Sequence, residues 1–256
     1  MARRHERAAG IGSRAVQIGF LAAVLVLWYL ATNRWGVNRL LLPNPISVWH
    51  QLVDVVSSGE FLPDLRVTLT ELAVAFVLSM TSGTVVGFFV SRTRYTMRVF
   101  DPLFAGIYSI PIILFLPLYV LFFGLGPASK IALGATISFF PIVINTIAGF
   151  GNVDRTLVTA ARSMGASDYQ LFRYVLLPAA LPVILTGLRM GFTIALLSII
   201  GSETIASLAG LGHHIVQLAE GMDMARMFAY IAFVVLIAAL LNSTVSYLEA
   251  RARRHR

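Results

Sequence analysis

The chain has 256 residues, of which hydrophobic types make up 57% and charged types 12%, with a net charge of +8 and a mean hydropathy of +0.80. Soluble proteins carry about 25% charged residues, so lipid is the solvent for most of this chain. There are no cysteines, which excludes disulfides, thiolate metal sites and cysteine nucleophiles.

Runs approaching the roughly 20 apolar residues that cross a bilayer occupy 15–32, 68–91, 100–123, 129–150, 179–206 and 227–248. They predict an all-α polytopic membrane protein with six transmembrane helices. The first run follows an Arg-rich tail over 1–14 and has the outline of a signal peptide. Its length suits a full span, no small-residue cleavage site follows Ala31, and Trp28 and Tyr29 stand where interfacial aromatics belong. It is therefore read as a retained first transmembrane helix over 15–32.

A connector spans 33–67. Within it Leu41 to Pro45 cannot be continuous helix, because proline disfavours helical geometry in the residue before it. From Ile46 to Val56 the residues Val48, Trp49, Leu52, Val53, Val55 and Val56 recur at near-helical spacing between His50, Gln51 and Asp54, which predicts an amphipathic interfacial helix. Pro111 and Pro117 in the third run and Pro141 in the fourth predict kinked helices, tolerated in a membrane where neighbours re-satisfy the freed backbone.

The segment 153–178 is polar and patterned. Leu157, Ala160, Ala161 and Met164 fall at i, i+3, i+4 and i+7, on one face of a short helix, with Arg155, Arg162 and Ser163 on the other. Gly165 can take the left-handed conformation that ends a helix, and Ser167 with Gln170 matches a capping box for a second one. Leu171, Phe172, Val175 and Leu176 give that second helix an apolar face, and Pro178 marks a break before the fifth span. Two readings fit this pattern alone, a docking surface for a partner and an amphipathic loop lying on lipid.

Farther on, the loop Ser207 to His214 has glycines for tight turns, and His213 with His214 invites a metal reading. Adjacent histidines without accompanying Cys or acidic ligand spacing do not make such a site, so no metal and no cofactor is expected. No phosphate-cradling Gly-rich loop, nucleophile elbow or His-Glu-x-x-His is present. ATP hydrolysis or other catalysis by the chain itself is not expected.

Lys and Arg flanking spans are retained on the cytoplasmic side. With the amino end inside, the inner segments hold Arg3, Arg4, Arg7, Arg14, Arg92, Arg94, Arg98, Arg155, Arg162, Arg173, Arg251, Arg253, Arg254 and Arg256. Outside lie only Arg34, Arg39, Arg66, Lys130 and Arg226, with Arg189 inside a span. Both termini, including the tail 251–256, are thus expected in the cytoplasm. Arginines placed at membrane edges also account for the basic charge without nucleic acid.

Ionisable groups at membrane depth usually face a bundle interior or an aqueous path, which makes Arg189 and Glu203 candidates for a translocation path, with Asn145 and Thr193 as weaker ones. Arg189 and Glu203 are about 21 Å apart along a helix, so each needs another partner. Arg189 either attracts an anionic solute or pins two helices. An ATP-independent channel or secondary carrier is the alternative class, but no paired acidic relay is evident.

Ala160-Ala161, three residues, Gly165, nine residues, then Val175-x-Leu177-Pro178 resembles the EAA motif of permease subunits of binding-protein-dependent ABC importers. Thr159 stands where the family has Glu, and Val175 where it has Ile. Leu42-Pro-Asn-Pro45, Phe123-Gly-Leu-Gly126, Gly187-Leu-Arg189, Ser202-Glu203 and Gly210-Leu-Gly212 extend the resemblance from about Leu41 to the sixth span. It is nearest to the branch carrying nitrate, sulfonates, taurine and thiamine-pyrimidine precursors. The resemblance implies a type I ABC importer permease fold with a core over 68–250 and a cytoplasmic coupling-helix loop. It implies that Thr159, Ala160, Ala161, Met164, Gly165, Ala166, Leu171, Phe172 and Pro178 meet an ATPase. It further implies a bacterial inner-membrane location, a second copy of the chain, ATP-binding subunits in the cytoplasm and an extracytoplasmic substrate-binding protein.

Overall fold

The computed structural model describes residues 2–38 and 41–254, and the side chains of 2–15, 18, 248 and 252–254 are not among those described. The charges assigned to Arg3, Arg4, Arg7, Arg14, Arg39, Arg253, Arg254 and Arg256 therefore lie outside the described side chains. Among the described residues the chain is helical with no strand. It divides into two compact units, Met1–Phe61 with Ile215–Phe233, and Leu62–His214 with Val234–Arg256.

The first unit holds α1 (Ala2–Asn33), α2 (Pro45–Ser58) and the opening turns of α11 (Met224–Arg254). Trp28 donates its indole N–H to the Pro43 carbonyl at 3.0 Å, which fixes the connector against α1. The Asn44 side chain accepts from Ile46 N at 2.9 Å, Pro45 takes the first helical position and Gly59 closes α2 with φ 72°, the usual asymmetry of helix ends. Of the stripe predicted on this helix, Val48 and Val55 are buried while Trp49, Val53 and Val56 stay exposed. Phe61 meets Phe233 at 4.4 Å between ring centres, and Arg226 pairs with Glu60.

The second unit is built around three helices, α3 (Leu62–Ser91), α6 (Pro127–Gly151) and α9 (Leu177–Ile205), with α6 packed on both of the others. Ile142, Val143, Leu133, Ala195 and Ile199 are among its buried residues. Close approach is achieved by small residues, as in membrane bundles generally. A Cβ added at Gly187 of α9 would lie 2.5 Å from Asn145 Cβ on α6. Large apolar side chains such as Val77, Leu78, Val85 and Phe89 point outward from α3, as lipid rather than water would require.

The expected spans emerge with two corrections. Leu62–Ser91, Pro127–Gly151, Asp168–Ile205 and Met224–Arg251 are each long and apolar enough to cross a bilayer. The run at 100–123 is a broken pair, α4 (Arg94–Tyr108) and, after a 3-10 turn over Ile112–Phe115, α5 (Leu116–Phe123), bent by 70°. Pro111 withholds the N–H a continuous helix would need there, and Pro117 begins α5 where no donor is required. At Pro141, by contrast, α6 continues unbroken. The first run appears as a shorter apolar stretch, Gly19–Asn33 of α1.

The second correction concerns Pro178. It makes no break: α8 (Asp168–Leu171) passes through a π-helical turn, Phe172–Leu176, directly into α9. Pro178 lies two residues beyond the π-helical turn inside this continuous helix, so the missing N–H falls where the helical hydrogen-bond pattern is already shifted.

Candidate functional site

The polar segment forms α7 (Arg155–Ser163), a turn, and α8 running into α9. Asp154 caps α7, its Oδ1 accepting from Thr156 N at 2.8 Å. That backbone hydrogen bond, helped by a second to the Thr156 side chain, holds the Asp154 carboxyl below its ordinary range. At the other end Gly165 has φ 80°. Its N–H reaches Arg162 O at 2.9 Å and Ala166 N–H reaches Ala161 O at 3.1 Å, a Schellman closure that only a left-handed residue completes.

The capping box is formed as the sequence predicts. Ser167 Oγ accepts from Gln170 N at 3.3 Å, and Gln170 Oε1 accepts from Ser167 N at 2.9 Å. Arg162 and Asp168 form an ion pair across the turn. Leu171 is buried, and Phe172 packs on Phe88 of α3 at 5.2 Å and on Phe150 of α6 at 6.2 Å between ring centres. These two residues hold the segment on the core. On the first helix only Ala161 is buried, while Thr159 and Ala160 are exposed and Ala166 is half-buried. Leu157 is 51% exposed, Met164 82% and Tyr169 71%, so the predicted apolar face points away from the body.

Arg189 and Thr193 are brought together and joined to the last helix. Arg189 Nε lies 3.2 Å from Glu249 Oε2, and Thr193 Oγ1 meets Asn242 Oδ1 at 2.8 Å. With Met190 and Ser246 they line a cavity of about 410 Å³. Asn145 faces Gly187 and Met190 of α9 from α6, its Nδ2 donating to Pro141 O at 2.8 Å. Glu249 was not singled out from the sequence because it sits where the last span meets the tail.

Glu203 belongs to a separate, buried polar group. Its Oε1 accepts from Thr68 Oγ1 at 2.6 Å and its Oε2 from Gly212 N at 2.8 Å. Asp64 Oδ1 accepts from Gly210 N at 3.0 Å. His214, in the first turn of α10 (Leu211–Glu220), sets Nδ1 3.3 Å from Asp64 Oδ2. Among the described residues no three His, Asp or Glu side chains are grouped to hold a metal ion.

Lys130 needs correction: counted as a flanking charge, it is wholly buried in the first turn of α6. Its Nζ donates to the carbonyls of Leu125 and of Gly126, the latter at 3.1 Å. Glu71, 1% exposed, and Glu203 lie within electrostatic reach of it, and Glu71 Oε2 has no hydrogen-bond donor. The rule that flags ionisable groups inside apolar runs finds Glu71 and Lys130 too, when applied to the ends of runs as well as their middles.

Taken together, the described residues form a helical bundle of membrane-length elements with a capped helix–turn–helix between two of them. The family described as the inner membrane component of binding-protein-dependent transport systems matches residues 69–254, and the chain belongs to it. A taurine transport system permease protein of Escherichia coli (strain K12) is 31% identical over 241 residues, covering 92% of this chain and 88% of that protein. A putative aliphatic sulfonates transport permease protein of Bacillus subtilis (strain 168) is 30% identical over 230 residues, covering 90% and 83%. The fold is shared with the methionine ABC transporter MetNI in an inward-facing conformation, at TM-score 0.64 and 19% identity over 78% of this chain and 97% of that one. The chain is thus a multi-pass inner-membrane permease of an ABC importer.

Proposed function

We propose that the α7–turn–α8 segment is the contact through which a separate ATP-binding subunit drives this permease. The observation that carries it is a doubly capped turn presenting Leu157, Met164 and Tyr169 outward with no covering element among the described residues. Large exposed apolar side chains on a rigid support mark an interaction surface. On this reading Thr159, Ala160, Ala161, Met164, Gly165 and Ala166 face the ATPase groove, while Leu171, Phe172 and Pro178 carry its movement into α9. The chain pairs with a second copy of itself, keeps both termini in the cytoplasm and receives solute from an extracytoplasmic binding protein. It has no catalytic centre of its own. The solute is small and anionic or heterocyclic, in the class of sulfonates, taurine, nitrate or a thiamine-pyrimidine precursor.

Gly165→Val tests the contact. A Cβ at this position meets nothing within 4 Å, so the substitution acts through the positive φ, at about 1–2 kcal/mol for a residue with a Cβ. Uptake in the reconstituted complex is expected to fall about tenfold with membrane insertion unchanged, the size that this strain gives at a factor of ten per ~1.4 kcal/mol. Gly165→Asn, which tolerates the left-handed region, is expected to retain most uptake. Normal uptake by Gly165→Val sinks the assignment.

For the translocation path, Asn145, Arg189, Thr193 and Glu203 are proposed in different roles. Arg189 pins α9 to the last helix through Glu249, leaving Thr193 and Asn145 to face solute, and Glu203 secures the loop after α9. Arg189→Gln and Glu249→Gln are expected to lower uptake of anionic and neutral solutes alike. A loss confined to the anionic solute would move Arg189 into the path itself.

A further inference from the structure

Behind the outward face of α7 lies a cavity of about 630 Å³, between the end of α3, the start of α4, the end of α6 and the π-turn. Its inner wall is aromatic: Phe88 lies 5.4 Å from Phe150 and 5.2 Å from Phe172 between ring centres. Its rim carries Arg92, Arg94, Arg155 and Arg162. Arg162 is committed to Asp168, the one carboxylate on the rim among the described residues. Arg92, Arg94 and Arg155 make no ion pair among the described residues.

We infer that this cavity holds the phosphate of an anionic phospholipid, with Arg92, Arg94 and Arg155 gripping the headgroup and the phenylalanine wall taking its glycerol and upper acyl carbons. Three arguments carry this assignment. Guanidinium groups bind phosphate through paired charge-assisted hydrogen bonds, and three uncommitted ones converge on one rim. The walls continue into helices of membrane length and composition, so a lipid reaches the site along them, whereas a soluble phosphate would leave the phenylalanines uncovered. The volume falls within the ~300–1,000 Å³ of small-molecule sites, and basic pockets between helices at the membrane edge recognise anionic headgroups. Of the residues assigned to the ATPase groove only Thr159 also lines the cavity, and Leu157, Met164 and Tyr169 do not, so a lipid here leaves the outer apolar face open to an ATPase.

The full-length chain, purified in detergent, can be titrated with phosphatidylglycerol and with phosphatidylcholine and the bound lipid counted by native mass spectrometry. One phosphatidylglycerol per chain is expected to be retained in preference to phosphatidylcholine. Combined Arg92→Gln, Arg94→Gln and Arg155→Gln is expected to weaken it on the order of a hundredfold, at about fivefold per arginine. The corresponding triple Lys variant keeps the charge but not the paired hydrogen bonds, and is expected to bind more weakly than wild type yet well above the triple Gln variant, which separates loss of the site from loss of fold. Arg98→Gln, an exposed arginine of α4 outside the rim, is expected to bind as wild type. Retention by the triple Gln variant, or equal binding of phosphatidylcholine, overturns the inference. So does displacement of the lipid by about 10 mM inorganic phosphate, a concentration at which only a weak soluble-phosphate site would compete. Loss of ATPase co-purification by the triple Gln variant with lipid retention intact would assign the arginines to a protein carboxylate instead.

Discussion

Lys130→Met is expected to destabilise the protein by about 3–5 kcal/mol, the range for removing one partner of a buried charge group. The lysine is fully buried, donates to the carbonyls of Leu125 and Gly126, and lies among Glu71 and Glu203. Removing it takes a donor from both carbonyls, of which that of Gly126 keeps Ser129 Oγ at 3.0 Å, and leaves the carboxyls without a counter-charge, so the damage extends beyond the lost methylene packing, which methionine largely replaces. Glu71→Gln in the same background is expected to recover a substantial part, because it removes the carboxyl whose Oε2 already lacks a donor. Thermal unfolding of the purified chain in detergent reads both. A melting temperature for Lys130→Met equal to wild type would show that the group is not coupled as its geometry implies.

Gly187→Ala is expected to cost about 1–3 kcal/mol, as overpacking does in a close-packed interior. The added Cβ would lie 2.5 Å from Asn145 Cβ and 3.2 Å from Pro141 O, so α6 and α9 must separate rather than one flexible side chain swing aside. Gly201→Ala in the same helix supplies the contrast. Its Cβ meets nothing within 4 Å, and exchanging glycine for alanine inside a helix gains about 1 kcal/mol. Opposite signs for the two variants in one melting experiment are the expected outcome. A stabilised Gly187→Ala would mean that the helices are not held as closely as described.

The spans could be read in advance because a run of apolar residues is a local signal, and so could the turn at Gly165. Both of its caps use residues within a few positions of one another, Ala161 to Ala166 and Ser167 to Gln170. Local chemistry misled at Pro178: a proline ends a helix in general, but here the helix passes through a π-turn just before it and continues. The polar sites were the least legible. Thr68 and Glu203 are separated by 135 positions and Asp64 and Gly210 by 146, so each half reads as an isolated anomaly until the fold closes. Arg189 was recognised as needing a partner, yet Glu249 sits 60 positions on, where the last span meets a basic tail.

The unbroken passage from α8 through the π-turn into α9 makes Asp168–Ile205 a single helical rod of 38 residues, about 55 Å long at 1.5 Å per residue. A flexible hinge at Pro178 would have let α8 swing while α9 stayed still. With none there, torque applied beside Tyr169 has no slack in which to dissipate, and the far end of the rod, two residues past Glu203, must turn with it. The hydrogen bonds from Glu203 to Thr68 and to Gly212 would then be among the first to feel the twist. On the proposed coupling, the buried polar group is the catch at one end of a shaft whose handle is the capped turn at the other.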